Sequence, residues 1–468
     1  MNLSKVYMQN EIQTKLDVIV IGAGLTGLTT AHTLKKRGKH VVVIEKEQRV
    51  GGQIHTYQQG DYTFESGPNT GVVSYPEVAE LFHDLAQWGC SLEEAHEEAR
   101  QRWIWKGTKF HAIPSSLIGA VRTPLFTWRD KFGILGEPFR RKGKNPNEDV
   151  ASMVVRRLGK SYLDYAVDPF VSGVYAGNPH TLITRFALPK LYNLEQNYGS
   201  FIRGGIAKSK EKKSERERLA TKNVFSAVGG LSRLTEALAQ SVGESNIILG
   251  AKEVVVTPID GQWQVSYKTA TGETISLCSQ HVITTVGAYA LKTMLPFVEE
   301  ADMAAISALR YAPIIQVSVG LSDAHGVENK AFGGLIPTCE KQPFLGILFP
   351  SACFSQRCPT AGALYSFFIG GTNHPEMLDK TDAELQQMVC KGLTTMLGLP
   401  ANVHPDMIRI FRHERAIPQY ELSSGARFEA VNRIEQAHKG LIIGGNLRDG
   451  IGMADRIRQA IRMGSQLA

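Results

Sequence analysis

Three glycines near the N-terminus have the spacing of a phosphate-binding turn. They lie in the run Gly22-Ala23-Gly24-Leu25-Thr26-Gly27, directly after the apolar residues 18–21. In such a turn the first glycine makes the tight bend, the second lets the backbone approach a pyrophosphate, and the third lets the next helix pack against the strand. The helix N-terminus then offers N–H groups and the positive end of its dipole to the phosphates. The run therefore predicts a dinucleotide site.

An acidic residue and further glycines extend this motif. Glu45 ends the next apolar run, at the position where a carboxylate binds a ribose hydroxyl. Lys46 and Arg49 follow, and the chain continues into Gly51-Gly52-Gln53 and later into Gly67-Pro68-Asn69. Because this continuation can follow a ligand beyond its pyrophosphate, it favours FAD over NAD as the cofactor.

The C-terminal segment carries a matching piece. Residues 441–443 are an apolar run that enters the glycine turn Gly444-Gly445-Asn446, and Ile451-Gly452-Met453 opens the last predicted helix. A helix N-terminus directed at a flavin would stabilise negative charge on the reduced ring. Val254 is a further cofactor-binding candidate, in a strand pair predicted over residues 252–266.

The regions between these motifs have different patterns. Residues 76–200 are predicted to be mostly helical, including the Glu- and Ala-rich run 91–100, whereas residues 310–370 are rich in strand patterns. Residues 1–15 are predicted to be a short flexible extension without the features of a signal peptide. A chain of 468 residues is too long for one hydrophobic core, so we expect two or three lobes.

Composition narrows the class of protein. The net charge is +7, but the basic run at residues 208–213 is diluted by acidic neighbours and has no aromatic residues, so we expect no nucleic-acid binding. The six cysteines include no CxxC pair and the 13 histidines no ligand spacing, so we expect no metal. Without an apolar run of roughly 20 residues, we expect a cytoplasmic protein that can rest on the inner face of the cell membrane.

The two glycine-rich stretches, residues 22–52 and 445–453, resemble the flavin amine oxidase-like superfamily. Within it, the run Asp168-Pro169-Phe170-Val171-Ser172-Gly173 and its continuation are similar to the oxygen-dependent protoporphyrinogen oxidase family. Further similar stretches lie at residues 188–191, 198–204, 225–238, 335–337, 345–349 and 368–371. The resemblance covers nearly the whole chain after residue 16.

This resemblance implies an α/β fold: a Rossmann-like FAD-binding domain in several segments, with a mixed β-sheet substrate domain and an inserted helical lobe. The expected FAD-binding segments are residues 1–75, 224–290 and 413–468. Residues 76–223 would form the helical lobe, which could contact a membrane, and part of the substrate domain. Residues 291–412 would form the rest of the substrate domain.

The resemblance also implies the chemistry. The enzyme would oxidise a porphyrinogen with FAD, pass the electrons to molecular oxygen, and form a homodimer. Arg102 matches a propionate-binding position, Leu335 and Leu348 match residues that sandwich one pyrrole ring, and Phe368 matches an aromatic that stacks on another. No general base is assigned, because the flavin carries the chemistry.

Several alternatives stay open at this point. Asn69 and Thr70 cannot form an ion pair with a propionate, so coproporphyrinogen III stays an alternative to protoporphyrinogen IX. A flavin amine oxidase is disfavoured because the turn at residues 446–450 has no aromatic. A flavoprotein that only carries a porphyrin would have the same cofactor motif. Residues 111–139, with apolar, Trp and basic side chains, suit either a membrane edge or the mouth of the site.

Overall fold

The computed structural model describes residues 16–467, so the predicted extension at 1–15 lies outside the described residues. Strands in this part of the chain form four sheets. The strands are β1 Leu16–Ile21, β2 Val41–Ile44, β3 Thr56–Gln59, β4 Tyr62–Glu65, β5 Gly71–Val72, β6 Leu92–Glu94, β7 Arg102–Lys106, β8 Lys109–Ala112, β9 Val224–Ala227, β10 Ile247–Ile248, β11 Lys252–Ile259, β12 Gln262–Lys268, β13 Thr274–Thr284, β14 Tyr311–Leu321, β15 Gly333–Leu335, β16 Gly346–Leu348, β17 Ala363–Gly370, β18 Met407–Pro418 and β19 Leu441–Ile443.

Helices connect and cover these sheets, and none of those within residues 16–467 is long and apolar enough to cross a membrane. They are α1 Leu25–Lys36, α2 Pro76–Leu85, α3 Leu117–Arg122, α4 Trp128–Gly133, α5 Val150–Arg157, α6 Lys160–Tyr162, α7 Asp168–Tyr175, α8 Thr184–Ala187, α9 Pro189–Tyr198, α10 Phe201–Ser209, α11 Glu215–Arg218, α12 Ser232–Val242, α13 Ala288–Met294, α14 Glu300–Ser307, α15 Pro350–Cys353, α16 Asp382–Leu397, α17 Ser424–Ala437 and α18 Met453–Gln466.

The first large sheet is parallel at its centre. Strands β10, β2, β1, β13 and β19 lie side by side in that order and run in the same direction. The apolar side chains of β1 alternate between two cores, because Val18 and Val20 pack with α1, α12 and α18, whereas Ile19 and Ile21 pack with α13, α14 and α17. A parallel sheet covered by helices on both faces is a doubly wound α/β fold, as the sequence predicts.

The second large sheet is mixed. Its order is β18-β14-β17-β16-β15-β7-β8, and only β15 and β7 are parallel neighbours. One face packs its apolar residues, such as Ile315, Val317 and Phe367, on α16. The opposite face has buried polar residues, including Gln316 and Ser366. Buried polar groups require hydrogen-bond partners, so this second face must be covered by another part of the chain.

One prediction of secondary structure is wrong. Residues 91–100 were expected to be helical, but they contain β6 and a single 3₁₀ turn, Glu97–Arg100, and the hairpin of β7 and β8 follows. The alternation in Arg102-Trp103-Ile104-Trp105-Lys106 is the period of a half-buried strand, and the aromatic side chains favour it.

The division into domains stays a prediction. The parallel sheet draws its strands from three separated parts of the chain, at residues 16–44, 247–284 and 441–443. The boundary after residue 412 falls inside β18, because that strand continues to Pro418 as an edge of the mixed sheet.

Candidate active site

The glycine turn after β1 has the geometry that its sequence predicts. Gly22 adopts a φ of 105°, which favours glycine. A Cβ at Gly27 would lie only 1.8 Å from the carbonyl oxygen of Gly22. The third glycine therefore lets α1 begin directly against the turn, with Leu25 and Thr26 buried in its first turn. The first N–H groups of a helix have no partner within the helix and are free for a phosphate.

A second glycine loop lies against this turn. The N–H of Gly51 donates to the carbonyl of Ala23 at 2.8 Å, and a Cβ at Gly52 would lie 3.1 Å from the Cα of Gly24. Arg49 holds the loop in place by donating to three carbonyls, those of residues 50, 52 and 54. The two glycine segments thus form a backbone cradle with no side chain between them.

Glu45 lies at the end of β2, beside the same turn. Its side chain is 6% exposed and accepts hydrogen bonds from the N–H groups of Ala23, at 2.7 Å, and Glu47, at 2.9 Å. These bonds fix the carboxylate at the carboxyl end of the sheet, where a ribose hydroxyl would meet it. Lys46 instead points to solvent and pairs with Glu47 at 3.3 Å, so the structure does not bring it into the cradle.

Val254 lies near the start of β11, three residues after a backbone contact with Glu45. The N–H of Ala251, just before β11, donates to the backbone carbonyl of Glu45 at 2.9 Å. The pairing of β11 with β12 shifts register between Lys252 and Val255, so Val254 has no partner in that ladder. A bulge of this kind leaves backbone groups available to a ligand.

The C-terminal turn closes the other side of the cradle. The Tyr420 hydroxyl lies 3.0 Å from the carbonyl oxygen of Asn446 and 3.1 Å from that of Gly450, so that either can accept its proton, and it accepts a hydrogen bond from the N–H of Gly450 at 3.1 Å. Helix α18 begins at Met453, directly after Gly452. Ile451 is half-buried, and the Oδ1 atom of Asn446 is buried without a hydrogen-bond partner among residues 16–467. A buried acceptor without a partner is costly unless a ligand satisfies it.

These segments meet at the carboxyl ends of the parallel strands, where open α/β sheets bind their ligands. Gly22 follows β1, Glu45 follows β2, and Asn446 follows β19. The cradle without side chains, the anchored carboxylate and the unsatisfied amide oxygen all fit a dinucleotide with an extended ring system. The residues present therefore fit FAD.

The mixed sheet contributes a second surface. Registered residues on neighbouring strands share a face. Arg102 and Leu348 both pair with Gly333, and two residues further along, Leu335 and Phe368 both pair with the same glycine of β16. Because residues i and i+2 also share a face, all four predicted substrate residues lie on one face, the one that carries the buried polar groups. We call it the substrate face.

The substrate face is turned toward the cofactor segment. The Oγ of Ser366 donates to Oδ1 of Asn69 at 3.0 Å, and the Nε2 of Gln316 donates to the carbonyl of Glu65 at 2.6 Å. Asn69 also donates to the carbonyl of Gly67 at 3.0 Å, and a Cβ at Gly67 would lie 2.1 Å from the carbonyl of Gln53. The chain of contacts therefore links the glycine loop, through the half-buried Pro68, to the sheet.

The helical lobe covers part of this face. Leu335 packs with Leu125 and Phe126, and a Cβ at Gly173 in α7 would lie 2.3 Å from its methyl carbon. Leu335, Leu348 and Phe368 are nevertheless only half-buried, although the residues directly before and after each in the sequence are buried. The three apolar side chains therefore retain accessible surface between the lobe and the cofactor segment.

Glu65 is the titratable group with the clearest perturbation at this junction. Burial raises its pKa to about 7, while hydrogen bonds from the N–H of Leu231 and the hydroxyl of Thr56 oppose the shift. It is 6% exposed. Its carboxyl group holds the turn before α12, and its backbone carbonyl holds Gln316, so Glu65 positions both surfaces rather than facing the space between them.

The family model described as flavin containing amine oxidoreductase matches residues 25–446. This chain belongs to that family. It is therefore an oxidoreductase and a flavoprotein, and the prediction of FAD as its cofactor is confirmed. The geometry above shows where the chain has room for that group.

Individual relatives narrow the resemblance. The chain is 28% identical over 470 residues to protoporphyrinogen oxidase 2 of Arabidopsis thaliana, covering 94% of this chain and 91% of the relative. It is 28% identical over 467 residues to human protoporphyrinogen oxidase, covering 94% and 96%. A crystal structure of a candidate protoporphyrinogen oxidase from Exiguobacterium sp. 255-15 superposes with a TM-score of 0.79 at 20% identity, covering 97% and 98%. The predicted resemblance and the predicted fold are confirmed.

Sequence reasoning missed several positioning residues in this flavoprotein. Tyr420 anchors a turn that follows it by 26 to 30 residues, and Gln316 and Ser366 look like ordinary polar interruptions of two apolar strands. Only the alternation of polar residues in strands that are otherwise apolar could have signalled that a second covered face exists.

Proposed function

We propose that this flavoprotein oxidises protoporphyrinogen IX to protoporphyrin IX, with molecular oxygen as the electron acceptor, in haem biosynthesis. The observation that carries the proposal is the substrate face, on which Leu335, Leu348, Phe368 and Arg102 lie together and are turned toward the cofactor segment. The names of the relatives from Arabidopsis and human support the same substrate.

The chemistry of the face suits a large apolar macrocycle with acidic arms. Strands in a sheet are about 4.8 Å apart, so Leu335 and Phe368, two strands apart, form an apolar floor about 10 Å wide. An apolar floor with few polar groups at its rim is typical of a small-molecule site. Arg102 is exposed at the edge of this floor, where its guanidinium can bind a carboxylate through two hydrogen bonds.

Bound FAD supplies the two-electron acceptor for each oxidation step. The chain's own residues orient the macrocycle between the substrate face and the cofactor segment. The apolar side chains of the floor exclude water from one side of the ring, and Arg102 fixes its rotation. None of the four residues is a general base, so we propose that the N–H protons leave to water.

An aerobic assay tests this proposal. Purified holoenzyme mixed with protoporphyrinogen IX should produce porphyrin fluorescence together with hydrogen peroxide, at a rate that depends on enzyme concentration. The same assay excludes a protein that only carries a porphyrin, because such a protein would leave the peroxide at the level of the autoxidation control.

Coproporphyrinogen III is a second candidate substrate, because the cavity beside Arg102 also contains Arg100 and Lys222. Extra cations favour a ligand with more carboxylates. The ratio of kcat/KM for the two porphyrinogens decides between them. A flavin amine oxidase is not supported, because Tyr420, the aromatic residue bonded to the turn at Asn446 and Gly450, is 2% exposed and its hydroxyl is held by that turn.

We also propose that the helical lobe touches the inner face of the cell membrane. Large apolar residues are exposed along it, and basic side chains such as Arg129 and Lys131 lie among them. The exposed apolar residues are Ile113, Ile118, Val121, Trp128, Phe132, Leu135 and Phe139. Apolar and Trp side chains with basic neighbours bind interfaces that carry anionic lipid. Co-flotation with anionic vesicles, lost in Phe132→Asp, tests the contact.

The predicted homodimer stays a prediction that light scattering can check.

A further inference from the structure

A cavity of about 170 Å³ opens at the end of the substrate face. It lies between the first residues of β9 and the 3₁₀ turn Glu97–Arg100, with the start of β7 on its third side. Three of its lining side chains are cationic, and no acidic residue is among the described residues that line it. The lining residues used below are Arg100, Arg102, Lys222, Asn223, Val224 and Phe332.

The cations differ in how they are paired. Arg100 forms an exposed ion pair with Glu97 at 3.2 Å. Arg102 lies over the ring of Phe332, 5.9 Å from its centroid. Within residues 16–467, neither Arg102 nor Lys222 forms an ion pair. Two cations that line a cavity with no acidic residue in its described lining repel each other and favour an anion between them.

The backbone holds Lys222 in an unusual conformation. Its φ is 64°, in the left-handed region that non-glycine residues rarely adopt. Its N–H donates to the carbonyl of Val73 at 3.0 Å. The side chain of Asn223 donates to Glu94 at 2.8 Å, and Thr221 donates to the other oxygen of that carboxylate at 3.1 Å. Both neighbours of Lys222 in the chain are therefore anchored to Glu94, and the loop fixes Lys222 at the cavity.

The cavity is within reach of the apolar floor. Arg102 shares a row of the sheet with Leu348, two strands away, which is about 10 Å. We infer that Lys222 is a specificity-determining residue that, together with Arg102, holds a carboxylate arm of the macrocycle in this cavity. The inference rests on the proposed function. It predicts that the affinity for a substrate increases with the number of carboxylates that the substrate can place in this cavity. The tetracarboxylate coproporphyrinogen III should therefore gain the most affinity from Lys222.

The test changes the charge at residue 222 and, separately, the number of carboxylates on the ligand. Lys222→Gln removes the charge, Lys222→Arg keeps it, and Lys439→Gln removes an exposed charge at a position outside the cavity lining. KM for coproporphyrinogen III should rise about tenfold in Lys222→Gln, the effect of losing one charge-assisted hydrogen bond, with kcat and flavin content unchanged. Lys222→Arg should restore most of the affinity, and Lys439→Gln should behave as the unchanged enzyme.

Binding of the porphyrin products gives a second measurement that does not depend on turnover. Quenching of coproporphyrin fluorescence should show a weaker Kd in Lys222→Gln, whereas the tetramethyl ester, which has no carboxylates, should bind all variants equally. An equal loss of affinity for the acid and the ester, or no loss for either, would overturn the role of Lys222. If the unchanged enzyme oxidises neither porphyrinogen, the proposed function fails instead, and the binding measurement still reports on the cavity.

Discussion

The Oγ of Ser366, in the middle of the mixed sheet, donates a hydrogen bond of 3.0 Å to the side chain of Asn69, which is 297 residues away in the sequence. Both side chains are buried. This bond joins the substrate face to the loop that continues from the cofactor cradle. The relative position of the two surfaces is therefore fixed by polar contacts, which are directional, rather than by apolar packing alone.

Ser366→Ala should weaken this junction. It leaves the Oδ1 of Asn69 buried without a partner, which costs about 1–3 kcal/mol of unfolding free energy, and it should lower kcat/KM while flavin stays bound. Ser318→Ala is a matched control, because Ser318 is the registered neighbour of Ser366 and its buried hydroxyl has no partner within the described residues. Equal losses of stability in the two variants, measured by denaturant unfolding, would contradict the account.

Gly24→Val should abolish retention of FAD. The Cα atoms of Gly24 and Gly52 face each other, with 3.9 Å between a Cβ placed on Gly24 and the Cα of Gly52. Branched methyl groups would fill the gap that the pyrophosphate must enter. Gly136→Ala, where a Cβ meets nothing within 4 Å, serves as the control. The flavin absorbance per protein after purification measures the effect, and a fully yellow Gly24→Val protein would exclude this turn as the cofactor site.

The local part of this site could be predicted from sequence. Strand, glycine turn and helix are contiguous in the chain, so the spacing of Gly22, Gly24 and Gly27 carries the geometry with it, and Glu45 follows on the next strand. The substrate face could be predicted only through the family resemblance, because Leu335, Leu348 and Phe368 have the composition of ordinary core residues. The register that aligns them depends on pairing between distant strands, which no local pattern specifies.

Two adjacent phenylalanines lie on opposite faces of the mixed sheet. Phe367 is fully buried against α16, whereas Phe368 lies on the substrate face. Phe367→Ala should lower the unfolding free energy by about 3–5 kcal/mol, and Phe368→Ala should cost much less stability but raise KM for the porphyrinogen. If thermal unfolding showed the large stability loss in Phe368→Ala, and steady-state kinetics showed the raised KM in Phe367→Ala, the two faces of this strand would be assigned the wrong way round.

Arg102→Ala should raise KM for the porphyrinogen by about tenfold or more, because it removes both charge-assisted hydrogen bonds of the guanidinium, and leave the flavin content intact. Arg102→Lys should recover only part of the loss, since a single ammonium cannot form the two parallel hydrogen bonds of a guanidinium. Arg37→Ala, at the exposed end of α1, controls for the change in net charge. An unchanged KM in Arg102→Ala would remove this residue from the substrate site.

Glu65 should make the stability depend on pH. Its pKa is about 7 in the folded protein, against an ordinary value of 4.5. Below pH 4.5 the carboxyl is protonated in both states, and between 4.5 and 7 the unfolded chain releases the proton first. The contribution to unfolding free energy therefore falls by up to about 3 kcal/mol as pH rises through this window. Glu65→Gln should flatten that slope in denaturant unfolding, and an unchanged slope would show that other groups cause it.

Anaerobic mixing of the purified holoenzyme with protoporphyrinogen IX shows whether the porphyrinogen reduces the bound flavin, because it follows the visible absorbance band of oxidised flavin without any contribution from oxygen. We expect the band to bleach rapidly and porphyrin fluorescence to increase once air is admitted. Rapid bleaching by coproporphyrinogen III, and not by protoporphyrinogen IX, would show that coproporphyrinogen III is the substrate. A flavin band that neither porphyrinogen bleaches would contradict the proposed function.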